Sequence, residues 1–230
     1  MIDKGKVTDI FFDLDHTLWD FEKNSAATFQ SILTPYRFDF SIETFMMAYT
    51  PINHAYWKLY RENSITTEEL RFVRLEKTFE AIASPQTKTT IEALSEAYIN
   101  QLSSQKFLFS GTQELLTYLQ SKYRLHIITN GFENVQQKKM YHSGILEFFN
   151  VILTAEKAGI KKPNADIFVQ ALHLANTQAE SALMIGDSYE ADIAGALAVG
   201  MQAIHFNSHN EPTHQNCLMV DQLQSIHQYL

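Results

Sequence analysis

Among 230 residues there is a single cysteine, Cys217. One thiol cannot build an internal disulfide framework, which excludes the small stapled scaffolds and leaves a reducing compartment open. Basic character is scarce as well: 18 lysines and arginines stand against 26 aspartates and glutamates, for a net charge of −8. Without a basic stripe, binding to the backbone of a polymeric nucleic acid is disfavoured. Small anionic substrates stay open, because a few local cations can outweigh the global field at one site. No long apolar run reads as a membrane span, and MIDKGKVTDIFF lacks the apolar centre of a signal peptide. A cytoplasmic protein with no membrane partner is therefore expected. Internal repeats and low-complexity tracts are missing too. What is present is a 45% hydrophobic composition, enough for a sizeable core and too much for a disordered chain.

That apolar content comes in short, widely spaced runs: VTDIFF (7–12), LHIIT (125–129), VIL (151–153), ALMIG (182–186), QAIHF (202–206) and LMV (218–220). Helical patterns lie between the later ones. TQELLTYLQSKY (112–123) puts Leu115, Leu116 and Leu119 on one side, and ADIFVQALHLA (165–175) does the same with Ile167, Phe168, Ala171, Leu172 and Ala175. YEADIAGALAVG (189–200) is small and apolar on one face and stops at Gly200. Alternation of this kind predicts an α/β fold with a mostly parallel sheet covered on both faces. Residues 20–106 break the pattern, with almost no strand signal. SIETFMMAYTPINHAYWKLYRE predicts a helix kinked at Pro51, Thr66 to Glu69 a capping box, and TTIEALSEAYINQL a further helix. A helical block is thus inserted directly after the first strand.

In an open parallel sheet, ligands bind beyond the carboxyl ends of the strands. Four such ends carry polar groups. The first run leads into Asp13, Asp15 and Thr17, the second into Thr129, Asn130 and Gly131. Lys161, Lys162 and Pro163 follow the third, and Asp187, Ser188 and Asp192 the fourth. Each alone reads as a turn or a helix cap. In order, each at its own strand end, they read as one site for phosphoryl transfer. A hard divalent cation such as Mg²⁺ takes oxygen ligands, and Asp13, Asp187 and a backbone carbonyl near Asp15 would supply them. Asp13 would attack phosphorus, and Asp15 on the same side of the strand would serve as acid and then base. Thr129 and the amides of Asn130 and Gly131 would hold phosphate oxygens at a helix N-terminus. Lys162, aimed by Pro163, would add a compact positive charge.

The ordered set DLDHT, Thr129-Asn130, Lys162-Pro163 and GDSYEAD resembles the four motifs of the haloacid dehalogenase-like hydrolases. The resemblance spans nearly the whole chain. It implies a Rossmann-like core formed by residues 1–19 and 107–230, with 20–106 as a helical cap closing over the substrate. It also implies required Mg²⁺ and an aspartyl-phosphate intermediate. By that resemblance Asp13 is the nucleophile, Asp15 the acid/base, Thr129 and Lys162 the phosphate-stabilising pair, and Asp187 the second metal carboxylate. Asp192 becomes an outer-shell acid. His16 stands where relatives often carry Gly, Asp or Glu, and reads as a variable turn residue.

A finer resemblance, carried by FFDLDHTLWDFEKNS and INHAYWKLYRENSITTEELRF, is to pyrimidine 5′-nucleotidases acting on noncanonical nucleoside monophosphates. The expected function is a phosphatase for small phosphorylated substrates, nucleotides foremost. A phosphosugar phosphatase or phosphomutase would keep the same core residues, and a catalytically idle phosphate-binding regulator is the reading from another class. A metal-free dehalogenase is disfavoured by Asp15, and a receiver domain by the length and the insertion. Trp19, Tyr56 and Trp57 read as packing aromatics. The sequence does not reveal the oligomeric state.

Overall fold

A computed structural model describes residues 2–230. The six apolar runs form β1 (Asp9–Phe12), β2 (Arg124–Thr129), β3 (Phe149–Thr154), β4 (Ala182–Gly186), β5 (Gln202–Phe206) and β6 (Leu218–Val220). They make one sheet of order β3-β2-β1-β4-β5-β6, and every pairing is parallel. Parallel neighbours need crossovers, and helices supply them. The helices, in chain order, are α1 (Phe21–Leu33), α2 (Ile42–Arg61), α3 (Thr67–Ala81), α4 (Lys88–Leu102), α5 (Thr112–Gln120), α6 (Glu133–His142), α7 (Ala155–Ala158), α8 (Ala165–Ala175) and α9 (Gly195–Ala198). This is the α/β, Rossmann-like architecture that the alternation predicts.

Strand order decides where a site can form. After β1 the chain steps outward through β2 to β3, then returns to the other side of β1 for β4, β5 and β6. The reversal leaves a crevice beyond the carboxyl ends of β1 and its neighbours. Register aligns those ends, since Phe12 lies opposite both Ile127 and Ile185. Burial on both faces fixes that register: Ile10, Phe11, Phe12, Ile127, Ile128, Leu183, Met184 and Ile185 are all fully buried. On one face Phe11, Ile128 and Met184 pack with Ile167, Phe168 and Ala171 of α8.

Two compact units emerge from the contacts, Met1–Phe21 with Lys106–Leu230, and Glu22–Gln105. The second is helical and held by aromatic packing, with Phe29 stacked on Tyr98 at 4.4 Å and in contact with Phe45 and Tyr49. The capping box is present: Thr66 accepts from the Glu69 amide, and the Glu69 carboxylate accepts from the Thr66 amide. As expected, one helix, α2, carries Pro51 inside it. The residue one turn back, Met47, is 80% exposed, so water can take the carbonyl that proline leaves without a donor. The stretch 189–200 differs from expectation. Tyr189–Ala194 form a π-helical turn before α9, and wide turns of this kind gather at functional sites.

Candidate active site

β1 ends at Phe12, yet the Asp13 amide still donates to the Ile185 carbonyl at 2.9 Å, so Asp13 stays in register with β4. The chain then turns, with the amides of Leu18 and Trp19 both donating to the Leu14 carbonyl. His16 sits in this turn at φ 66°, a left-handed conformation that costs a residue with a side chain but is free for glycine. The turn also separates the two acids, which in a straight strand would share a side. Asp13 meets Lys162, whose Nζ donates to its Oδ1 at 2.6 Å. Asp15 meets Lys139 and Gln136, which donate to its Oδ1 and Oδ2 at 2.6 and 2.9 Å. Each acid has its own cation.

Lys162 is 1% exposed, and its ammonium also donates to the Ile128 carbonyl and to Asp192 Oδ1, both at 2.6 Å. The loop before it is clamped by Asn130. That amide accepts from the Lys162 N–H at 2.8 Å and donates to the Lys162 carbonyl at 3.0 Å. Thr129, nearly fully buried, accepts at Oγ1 from the Gly131 amide at 3.1 Å and from Gln136 Nε2 at 2.7 Å. A Cβ at Gly131 would lie 2.4 Å from the Gln136 amide nitrogen, so any larger residue would push that side chain away from Thr129 and Asp15. The helix expected after this turn is α6, which begins at Glu133.

From the far side come Asp187 and Asp192. Oxygens of Asp13, Asp187 and Asp192 lie within 4.8 Å of one another, and all three residues are buried. Asp192, an outer-shell acid by resemblance, thus has an oxygen in the same cluster as Asp13. The π-helical turn carries it there, and its Oδ2 accepts from the Ser188 amide at 3.0 Å. Gly186 permits the approach, because a Cβ at that position would meet Asp192 Oδ2 at 2.3 Å. The Asp187 carboxylate accepts from the Thr17 hydroxyl at 3.0 Å and pairs with His209 Nε2, also at 3.0 Å.

Burial lifts the Asp13 pKa well above its ordinary value; Lys162 opposes that rise and Asp192 and Asp187 add to it. Asp192 is raised for the same reason, burial first and Asp187 second, against Lys162. Asp187 goes the other way: burial is outweighed by the His209 hydrogen bond and by the charges of His16 and His209. Lys162 is held above its usual value, since Asp13 and Asp192 outweigh its own desolvation. Three buried carboxylates thus share this pocket with one ammonium, and His209 pairs with Asp187. A pocket of carboxylate oxygens suits a hard divalent cation.

Sequence reasoning missed Gln136, Lys139 and His209, and it placed Thr17 at the site without a role. Gln136 and Lys139 stand three apart on α6, a spacing that shares a helix face, and both are buried despite their polarity. That spacing, one helix after Thr129-Asn130-Gly131, was the available signal. Lys139 Nζ also lies 4.3 Å from the centroid of Trp19, a fully buried ring.

The sequence profile of the haloacid dehalogenase-like hydrolases matches residues 10–206. The chain is 30% identical over 220 residues to the pyrimidine 5′-nucleotidase YjjG of Escherichia coli, covering 95% of this chain and 94% of that one. To the pyrimidine 5′-nucleotidase PynA of Streptococcus pneumoniae it is 30% identical over 208 residues, covering 89% and 86%. Among solved structures it resembles the magnesium-bound HAD-hydrolase YfnB of Bacillus subtilis, with a TM-score of 0.86 at 24% identity over 97% of this chain and 98% of that one. A profile match over most of the chain and relatives matched nearly end to end agree with the four strand-end motifs: the chain belongs to the haloacid dehalogenase-like hydrolase family.

Proposed function

We propose that the protein is a magnesium-dependent phosphomonoesterase that works through a phosphoryl group carried on Asp13, with nucleoside 5′-monophosphates as substrates. The observation that carries the reading is the Lys162 ammonium, 2.6 Å from Asp13 and from Asp192 in a pocket that Asp187 completes. Asp13, Asp187 and Asp192, with the Asp15 carbonyl, are the oxygens that would hold Mg²⁺. When bound, the ion supplies positive charge against the phosphate oxygens.

The residues divide the work as follows. An Asp13 oxygen forms a bond to phosphorus while the bond from phosphorus to the ester oxygen breaks, and Asp15 gives that oxygen its proton. Asp15 then takes a proton from water, whose oxygen bonds to phosphorus as the Asp13–phosphorus bond breaks, releasing inorganic phosphate. Lys162 fixes the Asp13 carboxylate by its Oδ1. The Thr129 hydroxyl and the Asn130 amide would hold phosphate oxygens ahead of α6, while the Gly131 amide, donating to Thr129 Oγ1, orients that hydroxyl. Gln136 and Lys139 orient Asp15 through both its oxygens.

Nucleotides are favoured over sugar phosphates because two nucleotidase relatives match along most of the chain. A match over 95% of it must include most of Glu22–Gln105. The test is phosphate release across nucleoside monophosphates and sugar phosphates, with and without excess chelator. Pyrimidine nucleotides should be cleaved fastest, and chelation should stop turnover until Mg²⁺ is restored. Undiminished activity in chelator would exclude the metal, and sugar phosphates cleaved faster than any nucleotide would exclude the substrate class. Asp13→Asn should lower turnover by on the order of 10³-fold or more with the fold intact by circular dichroism.

A further inference from the structure

The end of β5 and the segment after it hold more histidine than the chemistry above uses: His205, His209 and His214 within ten positions. His205 is the last but one residue of β5, opposite Gly186 in the register, and is completely buried. Its Nε2 lies 2.7 Å from the Asp187 carbonyl, and its Nδ1 lies 2.9 Å from Nε2 of His214. The Asn216 amide donates to His214 Nδ1 at 3.3 Å.

These contacts admit one arrangement of protons. A carbonyl can only accept, so His205 carries hydrogen on Nε2. The Asn216 amide can only donate, so His214 Nδ1 is a lone pair and its hydrogen sits on Nε2. That hydrogen then points at His205 Nδ1, which accepts. The chain of donors runs from the Asn216 amide through two neutral imidazoles to the Asp187 peptide. His214 is kept in place by the Tyr189 ring at 4.6 Å, and the Tyr189 hydroxyl accepts from the Asn216 side chain at 2.7 Å. Glu211 is the nearest carboxylate, 3.6 Å from His205 Nε2.

We propose that His205, held in a single tautomer by His214, is a positioning residue that fixes the Asp187 peptide and thereby sets the affinity of the acidic pocket for its divalent cation. The inference rests on reading Asp187 as a cation ligand. With its side chain held by Thr17 and His209 and its carbonyl by His205, Asp187 has little freedom left to lose when a cation arrives. A buried carbonyl deprived of its donor would rotate toward another partner and take the carboxylate with it.

Calorimetric titration of the full chain with Mg²⁺ tests this, with thermal unfolding in chelator as the control on folding. His205→Phe keeps a ring but removes the donor, and should weaken Mg²⁺ binding by about tenfold. His205→Gln can return an amide N–H to the same carbonyl and should recover most of that loss. His214→Leu leaves His205 free to shift its hydrogen to Nδ1, and should weaken binding by a smaller factor while unfolding at the same temperature as the unaltered chain. Unchanged Mg²⁺ affinity in His205→Phe overturns the proposal; should that variant not fold, unchanged affinity in His214→Leu does so. The parent reading fails differently, through a chain that shows no saturable Mg²⁺ binding or an Asp187→Asn variant that binds as the unaltered chain does.

Discussion

Two regions of this molecule bury a full positive charge, and they do so by different means. In the sheet unit Lys162 spends its ammonium on three oxygens, from Asp13, Asp192 and the Ile128 carbonyl. In the helical unit Arg74 is 3% exposed, and one of its nitrogens donates to Asn53 Oδ1 at 2.7 Å. The rest of that guanidinium lies 5.3 Å from the Tyr98 centroid and 5.9 Å from that of Tyr49. Its Nε has no hydrogen-bond partner among the described residues. A compact ammonium is strongly hydrated, and needs oxygens in return when it leaves water. A flat, weakly hydrated guanidinium can accept ring faces and an amide instead. The first arrangement surrounds its cation with buried acids. The second surrounds it with packing.

Substitution should expose the difference. Lys162→Met strands Asp13 and Asp192 in a buried pocket, and should cost about 3–5 kcal/mol by urea unfolding along with turnover. Arg74→Met fills similar volume, and Asn53 keeps a donor in the Tyr49 hydroxyl at 3.2 Å. Its cost should be about 1–2 kcal/mol, since exchanging a buried charge for apolar volume is often close to neutral. Should Arg74→Met prove the costlier of the two, the contrast between the regions collapses. Asn53→Leu sharpens it from the other side: leaving the guanidinium without its oxygen should cost about 1–3 kcal/mol.

A smaller effect is expected at the opposite end of β1, where Asp9 accepts from His126 and pairs with Arg124. Burial lowers the His126 pKa below 6.5, and the Asp9 interactions offset only part of it. Asp9 itself lies below 3.8: its burial is outweighed by hydrogen bonds from Thr8, His126, Thr177 and Arg124. For both groups the folded value is depressed, so their stabilisation is present above the unfolded pKa and fades as pH falls through the folded one. The unfolding free energy should therefore decline from about pH 7 downward as His126 is forced to charge, with the Asp9 contribution lost only below its ordinary 3.8. A His126→Phe variant should flatten the upper part of that slope. A slope unchanged in the variant would assign it elsewhere.

Much of the sheet could be read ahead of the structure because burial on both faces forces short apolar runs, and ALMIG or QAIHF can hardly be anything else between helical stretches. The candidate site was legible wherever a strand end carried its polar residue within a few positions, as at Asp13, Thr129 and Asp187. Partners reached through tertiary packing were not. Lys139 lies 124 positions from the acid it touches, on a helix whose polar sequence looks solvated. Arg74 sits in a helix with charges on most sides, so no periodicity marks it as buried. His205 reads as one more strand residue, and the carbonyl it serves belongs to a neighbouring strand end. The π-helical turn at 189–194 escaped for another reason. Its composition is that of an ordinary helix, and the extra residue per turn follows from where Asp192 is held.

The Gln136 amide nitrogen has two acceptors, Asp15 Oδ2 and Thr129 Oγ1. One group therefore keeps the distance between the carboxyl proposed to move protons and the hydroxyl proposed to cradle the phosphoryl group. Neither can be retuned alone. A variant that repositions Asp15 for a poorer leaving group would drag Thr129 with it, so adapting this scaffold to new esters has to begin at α6.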